Sequence, residues 1–323
     1  MCSKSRFGVF SSGIQSIPHI DQFLNADLQK IWCFTQANLE GVVGWGLKPT
    51  AEKARRFAAK KNLPYIALED GFLRSVGLGV DGDVPHSLVV DYSGIYYDAT
   101  RPSDLERFIF ESALSDEQAI RARRCMALIR KHRLSKYNQA PEVMFAPSDK
   151  QRILVVDQTA GDASIRYGLA SEHSFKLMLE QAKANHPDAE IWVKIHPDVL
   201  AGKKQGHLVE LAQHLGCTLL SDACNPWSVL DVVSDVYVVT SQLGFEALLA
   251  GKRVHCFGMP FYAGWGLTED SQSCARRSVE RSLEAVFDAA YIRYCRFINP
   301  QSGQRCEIED TIALLTQQRD LLF

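Results

Sequence analysis

The sequence lacks the patterns that define several common protein classes. It has 323 residues, a formal net charge of −2 and nine cysteines, with no C-x-x-C pair among them. Neither a disulfide framework nor a structural zinc site is indicated, and a nucleic-acid binder would usually be distinctly basic. Cys33 and Cys256 lie within apolar runs, which is typical of buried thiols in a reducing compartment.

Long apolar runs and common nucleotide or metal motifs are also missing. No window approaches the ~18 uninterrupted apolar residues of a membrane span, and the start of the chain lacks a signal-peptide apolar region. G-x-G-x-x-G, G-x-x-x-x-G-K-[ST] and H-E-x-x-H do not occur. These absences argue against dinucleotide dehydrogenases, P-loop nucleotidases and zinc proteases. We therefore expect a cytoplasmic protein that touches a membrane only at its surface.

Short apolar runs alternate with helical patterns in both halves, which is typical of βαβ units. The strands predicted in the first half are residues 6–10, 30–35, 41–46, 64–68 and 88–91. Those in the second half are residues 152–156, 190–195, 235–240 and 253–257. The polar segment 135–151 separates the halves. We predict two α/β domains, 1–145 and 146–323, with a cleft between them and a mostly helical C-terminal tail.

Two apolar runs of the second half stop abruptly at polar side chains. In a parallel sheet, ligands bind just beyond the carboxyl ends of the strands. The residues placed there are Asp157, Gln158, Asp162, Lys194 and His196. Asp157 could be a turn or capping residue. Asp162 could stand free as a base or as a nucleophile toward an anomeric carbon, or it could cap the helix that follows.

The segment 238–248 indicates an anion site at the start of a helix. A buried strand runs into Thr240 and Ser241, whose hydroxyls could add to the free N–H groups of the helix. Glu246 lies in the first helical turn, within reach of a ribose hydroxyl. The alternative is an ordinary helix cap. His196 could donate to a phosphate or a leaving group, or it could be structural.

The first half has its own cluster of charged residues at a strand end. In the segment 67–75, Glu69 or Asp70 could handle protons, and Arg74 could bind a carboxylate or phosphate bidentately. The alternative is a surface turn with a local ion pair. The aromatic segments 261–268 and 92–98 either stack against a sugar or base, or pack internally.

Seven ordered segments span nearly the whole chain. They are E-D-G-F-L-R-S, S-G-I-Y-Y-D-A, L-S-K-Y-N, L-V-V-D-Q-T-A-G-D, E-I-W-V-K-I-H-P-D-V-L, V-V-T-S-Q-L-G-F-E-A-L-L-A-G-K and P-F-Y-A-G-W-G-L-T. Together they closely resemble the KpsC family of bacterial capsule-polysaccharide β-Kdo glycosyltransferases. The resemblance implies a modified GT-B architecture, in which two Rossmann-like domains hold the active site between them.

The resemblance also implies a reaction and its partners. A retaining enzyme of this family moves Kdo from CMP-β-Kdo to a Kdo-bearing glycolipid, by double displacement through a Kdo–enzyme intermediate. It works at the inner face of the cytoplasmic membrane, in contact with capsule assembly proteins and without nucleic acid. CMP is a good leaving group, so we expect no metal and no cofactor.

Site roles follow from the matching segments. The resemblance implies that Asp162 of the D-Q-x-x-x-D segment is the nucleophile. It implies Glu69 of the E-D-G segment as the general acid/base, with Asp70 as the second candidate. The residues implied in donor binding are Gln158, His196, Ser241, Gln242 and Glu246. The candidates for binding the Kdo carboxylate are Arg74, Arg166 and Lys194.

One departure concerns length. Familiar members carry two such modules, whereas this chain has the length of one and looks closer to the amino-terminal module, whose linkage is β-2,4. Two alternatives stay open. One is a non-catalytic module that binds Kdo-lipid or organises capsule assembly, and the other is an inverting transferase that uses another CMP-sugar acid.

Overall fold

The computed structural model describes residues 5–35, 37–79, 82–195, 199, 203–221 and 223–323. The chain divides into two compact units. Unit 1 comprises Met1–Tyr96, Pro102–Gln139 and Phe287–Phe323, and unit 2 comprises Tyr97–Arg101 and Ala140–Val286. Strands and helices are numbered below in chain order.

Unit 1 contains a seven-stranded mixed sheet. Its strands are β1 (Ser5–Val9), β2 (Ala26–Lys30), β3 (Gly41–Trp45), β4 (Tyr65–Asp70), β5 (Ser87–Asp91), β12 (Cys295–Ile298) and β13 (Arg305–Cys306). The spatial order is β13-β12-β5-β4-β3-β1-β2. The strands β1 to β4 run parallel, and β5, β12 and β13 continue the sheet in antiparallel pairs. The carboxyl ends of β1 to β4 therefore share one edge of the sheet.

The helices of unit 1 cover this sheet. They are α1 (Ser12–Gln15), α2 (Ile20–Leu24), α3 (Glu52–Lys61), α4 (Asp104–Phe110), α5 (Asp116–Lys131) and α12 (Ile308–Asp320), with a π-helical segment at Asp288–Tyr294. The helix α5 begins at a capping box in which Ser115 and Gln118 bond each other's backbone N–H groups, as the sequence predicts. One apolar cluster joins Val43, Ile66 and Leu88 of the sheet to Phe23 of α2.

Unit 2 contains a parallel six-stranded sheet. Its strands are β6 (Arg152–Val156), β7 (Glu190–Lys194), β8 (Thr218–Leu220), β9 (Asp235–Val238), β10 (Arg253–Cys256) and β11 (Glu269–Asp270), in the order β11-β10-β9-β6-β7-β8. The central strand β6 is a continuous apolar run because both of its faces are covered. Its carboxyl end lies beside that of β9.

The helices of unit 2 alternate with these strands. They are α6 (Ala163–Tyr167), α7 (Glu172–Asn185), α8 (Val209–His214), α9 (Pro226–Leu230), α10 (Leu243–Leu249) and α11 (Leu283–Phe287), the last of which reaches into unit 1 by one residue. Phe175 and Met178 of α7 pack on Ile153 and Val155 of β6 in a dry cluster. None of the helices within the described ranges is long and apolar enough to cross a bilayer.

The predicted α/β fold with two sheets is confirmed, and three details differ. The strand predicted at residues 30–35 is wrong, because the strand at this place is β2, and the apolar residues after it form a turn. The sequence predicts a mostly helical tail in the second domain that could cross back onto the first, and from Phe287 onward the tail belongs to unit 1. It also supplies β12, which pairs with the distant β5, and β13, which pairs with β12.

Candidate active site

Glu69 is the next-to-last residue of β4 and is buried beside two cations. The residue is 8% exposed, and Lys48 Nζ lies 4.0 Å from its Oε1 atom. Burial raises the pKa of Glu69, while the ammonium groups of Lys48 and Lys136 and a hydrogen bond from Trp45 oppose that rise. A buried carboxyl with a raised pKa can hold a proton near neutrality and give it up to a reacting oxygen.

Asp70 follows in the chain but has a different environment. Consecutive residues of a strand point to opposite faces, so Asp70 turns away from Glu69. Its carboxylate accepts a bond from Arg74 Nε at 2.8 Å and one from the Tyr137 hydroxyl at 3.2 Å. Arg74 also donates to Ser75 Oγ at 2.6 Å and to the Asp83 carbonyl at 3.0 Å. These bonds engage Asp70 and Arg74 in a local structural network.

The L-S-K-Y-N segment holds the loop after β4 in place. The backbone N–H of Arg74 donates to the Lys136 carbonyl at 3.1 Å, and Asn138 N donates to Val76 O at 2.8 Å. The buried Asn138 amide also donates to the Ser75 carbonyl at 3.0 Å. Two segments far apart in sequence thus build one site in unit 1.

Asp162 stands at an exposed turn in unit 2. Gly161 before it has φ +82°, in the left-handed region that favours glycine. Asp162 caps α6, because its Oδ1 atom accepts a bond from Ser164 N at 2.9 Å. The capping role considered from the sequence is thus real, and the carboxylate is also exposed enough to meet a ligand. Arg166 is exposed one helical turn further on.

Gln158 links this turn to the end of β9. Its side-chain oxygen accepts a bond from Thr240 N at 2.9 Å, and its nitrogen donates to Thr240 Oγ1 at 3.0 Å and to Ser164 Oγ at 3.3 Å. The Ser164 and Thr240 hydroxyls are 3.0 Å apart. The sequence predicts Gln158 as a donor-binding residue. Its described bonds are internal, and they fix the position of the helix that Asp162 begins.

Asp157 is a turn anchor, as one of its two predicted roles requires. Its carboxylate accepts bonds from the backbone N–H groups of Gln158 at 2.9 Å, His207 at 3.1 Å and Leu208 at 3.3 Å. Burial raises the pKa of Asp157, and these three donors oppose the rise. A Cβ on Gly206 would lie 2.4 Å from the same carboxylate, so the loop passes close to it.

The predicted anion site lies at the start of α10. Leu243 N donates to Ser241 Oγ at 3.3 Å, and Gly244 N donates to the Ser241 carbonyl at 3.1 Å. A phosphate at this position would therefore have to take the place of the Ser241 hydroxyl. Gln242 is the half-exposed residue directly before the helix, and Glu246 is buried within it, 4% exposed.

The aromatic segment 261–268 packs internally rather than presenting rings to a ligand. Phe261, Tyr262 and Trp265 are at most 4% exposed. The Tyr262 hydroxyl donates to the Ser241 carbonyl at 2.6 Å, and the Trp265 indole N–H donates to the Phe261 carbonyl at 2.9 Å. Of the two roles that the sequence allows, the structure shows the packing one. It supports the loop that carries Ser241.

The second aromatic segment, 92–98, packs in part, since Tyr97 is buried and Tyr96 contacts another ring, whereas Tyr92 is 44% exposed. Buried Asp91 accepts bonds from the N–H groups of Ser93 at 2.9 Å and Gly94 at 2.7 Å, and from the Tyr294 hydroxyl at 2.7 Å. Tyr96 meets Phe72 edge to face with ring centroids 5.1 Å apart. Both contacts lie inside unit 1.

Two predicted donor-binding residues remain, Lys194 and His196. Lys194 is half-buried as the last residue of β7, and its carbonyl accepts a bond from Asp157 N at 3.0 Å. His196 lies outside the described residues. Its predicted contact with the donor phosphate therefore stays a prediction.

A cluster of metal-ligand side chains lies at the opposite edge of the unit 2 sheet. In the described part of the chain, one ligand atom from each of His186, Asp235 and His255 falls within 4.8 Å of the others. Arg253 Nε is 2.9 Å from Asp235, and the two nitrogens of His255 lie 3.2 Å from Asp235 and 3.1 Å from Glu269. A cation would have to displace the guanidinium, so the group forms an ionic network by itself.

The residues around Glu69 come from two distant segments and do not stand out in the sequence. Trp45 ends the strand β3 and Lys48 follows it, whereas Lys136 lies in the L-S-K-Y-N segment. Parallel pairing of β3 with β4, with Trp45 opposite Leu68, brings the first two beside Glu69. A tryptophan at the end of a buried strand and a lysine just after it are the signal that could have found them.

The sequence matches the model of a known protein family. The model of the family described as capsule polysaccharide biosynthesis protein matches residues 40–297. This match covers more than half of the sequence, so the chain belongs to that family.

Two named proteins are similar to this chain in sequence. The chain is 48% identical over 317 residues to the capsule polysaccharide modification protein LipA of Neisseria meningitidis serogroup B, which covers 94% of this chain and 45% of LipA. It is 41% identical over 292 residues to the lipopolysaccharide-processing protein LpsZ of Rhizobium meliloti, covering 89% and 66%. The chain thus spans about half the length of LipA.

Two solved structures are similar over nearly their whole length. One is the beta Kdo 2,4 transferase of Thermosulfurimonas dismutans KpsC, with 45% identity, TM-score 0.92 and coverage of 97% of this chain and 98% of that one. The other is the beta Kdo 2,7 transferase of the same protein, with 29% identity, TM-score 0.76 and coverage of 98% and 100%. The resemblance to the KpsC family is thereby confirmed.

Proposed function

We propose that the chain is a retaining β-Kdo glycosyltransferase that moves Kdo from CMP-β-Kdo to a Kdo-terminated glycolipid, forming a β-2,4 linkage. The observation that supports the proposal most is the similarity to the two KpsC transferase structures. The 2,4 transferase exceeds the 2,7 transferase in both identity, 45% against 29%, and TM-score, 0.92 against 0.76.

In the first step, an Asp162 oxygen attacks the anomeric carbon of Kdo. A bond forms between that oxygen and the carbon, and the bond from the carbon to the CMP phosphate oxygen breaks, so CMP leaves with the electron pair. The exposed position of Asp162 after the left-handed Gly161 supports this role, because a nucleophile must reach its carbon without hindrance. Arg166 or Lys194 would neutralise the carboxylate of Kdo.

In the second step, the acceptor hydroxyl attacks the same carbon from the opposite face. The bond to Asp162 breaks, the aspartate recovers its electron pair, and the two inversions restore the β configuration. Glu69 would protonate the departing CMP phosphate in the first step and take the acceptor proton in the second. Its raised pKa supports the acid role, and the nearby Lys48 ammonium stabilises the carboxylate that remains.

The donor nucleotide would be held by the segments at the strand ends of unit 2. His196 and Ser241 would contact the phosphate, with Gln242 beside them and Glu246 near the ribose. Gln158 would act by holding the turn of Asp162 against Thr240. The reaction as proposed needs neither a metal nor a cofactor, and its acceptor would be presented at the inner face of the cytoplasmic membrane, alongside capsule assembly proteins.

The proposal is tested by incubating the protein with CMP-Kdo and a synthetic Kdo-terminated acceptor. We expect one Kdo to be added, and proton and carbon NMR to show a β-linkage to the acceptor's carbon 4. Transfer of a single α-linked residue would point to an inverting enzyme. A folded protein that binds the acceptor but transfers nothing would favour the non-catalytic alternative and contradict the proposal.

A further inference from the structure

The turn that follows β2 carries two strongly exposed aromatic side chains. Trp32 is 63% exposed and Phe34 is 95% exposed. The turn is closed by hydrogen bonds from Trp32 N to Thr35 Oγ1 at 2.8 Å and from Thr35 N to the Trp32 carbonyl at 3.0 Å. Two large rings held outside the core by a closed turn indicate an interaction surface, because exposed apolar groups in proximity favour a partner.

The turn is anchored beside the basic helix α3. Ile31, directly before it, is buried in a cluster with Ala54 and Phe57 of that helix. The helix has the sequence E-K-A-R-R-F-A-A-K-K, with five cations and one acid, which gives 5 − 1 = +4. The acid, Glu52, is paired with Arg55 at 2.5 Å and with Arg56 at 2.7 Å.

The cations of α3 are available at the surface. Lys53, Arg56, Lys60 and Lys61 are all exposed. Lys53 also lies over the Phe10 ring, 4.9 Å from its centroid, and Phe10 packs against Phe57 of the same cluster. The excess of positive charge is therefore local, since the whole chain has a formal net charge of −2.

We propose that the turn Trp32–Thr35 and the exposed cations Lys53 and Arg56, in the first part of α3, dock the protein on an anionic lipid bilayer. Tryptophan and phenylalanine insert at the level of the headgroups, while lysine and arginine pair with lipid phosphates. A cationic surface with aromatic rings complements an anionic leaflet in both charge and polarity. We call these residues the docking surface.

The docking surface lies at the same sheet edge as Glu69. The strands β1 to β4 are parallel, Trp32 follows β2, and Glu69 lies at the end of β4. Three strand spacings in the order β4-β3-β1-β2 separate them, about 14 Å at ~4.8 Å per strand. If the proposed function holds, docking brings a lipid-linked acceptor to the edge that carries the acid/base.

The test is flotation of the full chain with vesicles of phosphatidylcholine, with and without phosphatidylglycerol. We expect binding only to the anionic vesicles, and less binding as salt is added. The double variant Trp32→Ser with Phe34→Ser should bind at least tenfold more weakly. The variant Lys53→Glu with Arg56→Glu should also lose about tenfold or more, since each cation near an anionic surface contributes several-fold.

Matched controls separate the docking surface from apolar exposure in general. Ile120→Ser on α5 and Leu177→Ser on α7 remove side chains that are 57% and 45% exposed, and they should leave vesicle binding unchanged. Equal binding to neutral and anionic vesicles would overturn the proposal. So would full binding by the Trp32 and Phe34 double variant, or equal losses in the two controls.

A second readout keeps this inference distinct from the proposed function. With a water-soluble acceptor that carries no lipid, the Trp32 and Phe34 double variant should transfer Kdo as fast as the wild type. Loss of that activity with unchanged thermal unfolding would place these rings in the catalytic machinery and overturn the docking role. If the wild type binds vesicles but shows no transfer, the proposed function fails and the docking surface stands.

Discussion

The two carboxyl groups proposed for catalysis occupy opposite kinds of environment. Glu69 is buried near the end of a strand in unit 1, beside Lys48 and Trp45, and burial raises its pKa. Asp162 is exposed at a turn in unit 2 and bound by a backbone N–H group. The buried environment suits a group that carries a proton, and the exposed one suits a group that must reach a carbon atom.

The neighbours Glu69 and Asp70 sharpen this contrast. Both are acids at the end of β4, yet Asp70 is bound by Arg74 and Tyr137. An acid that neutralises a buried guanidinium serves the fold, whereas an acid kept buried beside a partly exposed lysine is available for chemistry. Mutations that separate the three acids test the comparison directly.

The largest effect is expected for Asp162→Asn. Asparagine caps a helix as well as aspartate does, so the fold should survive. It is a poor nucleophile, and the transfer rate should fall by about 10³-fold or more. Steady-state assays with CMP-Kdo measure the rate, and circular dichroism checks the fold.

The control is Ser115→Ala, which removes the cap of α5. It should cost about 1 kcal/mol of stability and leave the transfer rate unchanged. Near-normal turnover by Asp162→Asn would reject the nucleophile and with it the contrast between the two carboxyls.

The next largest effect is expected for Glu69→Gln. Loss of a general acid/base should lower the transfer rate by about 10²–10⁴-fold. The free energy of unfolding should rise at neutral pH, because glutamine removes a buried carboxyl that is costly to ionise. Rate and chemical denaturation are measured on the same samples, and an unchanged rate would contradict the acid/base role.

The pH dependence of that stability gain has a definite sign. The folded-state pKa of Glu69 is raised above 4.5, so the folded protein binds more protons than the unfolded chain just above pH 4.5. The contribution of Glu69 to the free energy of unfolding is therefore largest below pH 4.5 and is lost as pH rises through the folded pKa. The stability of Glu69→Gln relative to wild type should therefore increase as pH rises. A decrease in this difference with rising pH would contradict the raised pKa.

Whereas Glu69→Gln should mainly lower the transfer rate, Asp70→Asn should mainly lower stability. It leaves the buried Arg74 guanidinium without its carboxylate, so the free energy of unfolding should fall by about 3 kcal/mol. Residual activity at low temperature, where the variant stays folded, should exceed that of Glu69→Gln. If Asp70→Asn is stable and inactive, the two acids have exchanged roles.

The smallest effect is expected for Thr240→Val. It removes the hydroxyl that bonds Gln158 and Ser164, at a cost of about 1 kcal/mol. Because this bond fixes the turn of Asp162, the transfer rate should fall a few-fold while the affinity for the acceptor stays unchanged. The control is Asn185→Ala, which removes a side-chain hydrogen bond to the Tyr237 hydroxyl of β9 and leaves the bonds of Gln158 in place.

Local patterns predicted much of the fold. The capping box at Ser115, the buried run of β6 and the helix cap at Asp162 all depend on neighbours within a few residues or on strand order. The α/β class followed from the alternation of such elements. These features are dictated by hydrogen bonding and burial that the sequence displays directly.

Features that depend on distant partners could not be predicted. The apolar run after Lys30 looks like a buried strand, but its aromatic side chains point to solvent while the more polar β2 forms the sheet edge. The strand β12 pairs with β5 across about two thirds of the chain, and β13 is added beyond β12. The Glu69 site likewise needs Lys48 and Lys136, which only the folded sheet and its loops bring together.

The covalent intermediate tests the central claim most directly. Wild-type protein is mixed with CMP-Kdo without acceptor, quenched quickly and weighed intact, and the adduct is mapped by peptide mass spectrometry. The account predicts the added mass of one Kdo on the peptide that contains Asp162, and none in Asp162→Asn. An adduct on another residue, or product formation by wild type with no adduct at any quench time, would contradict it.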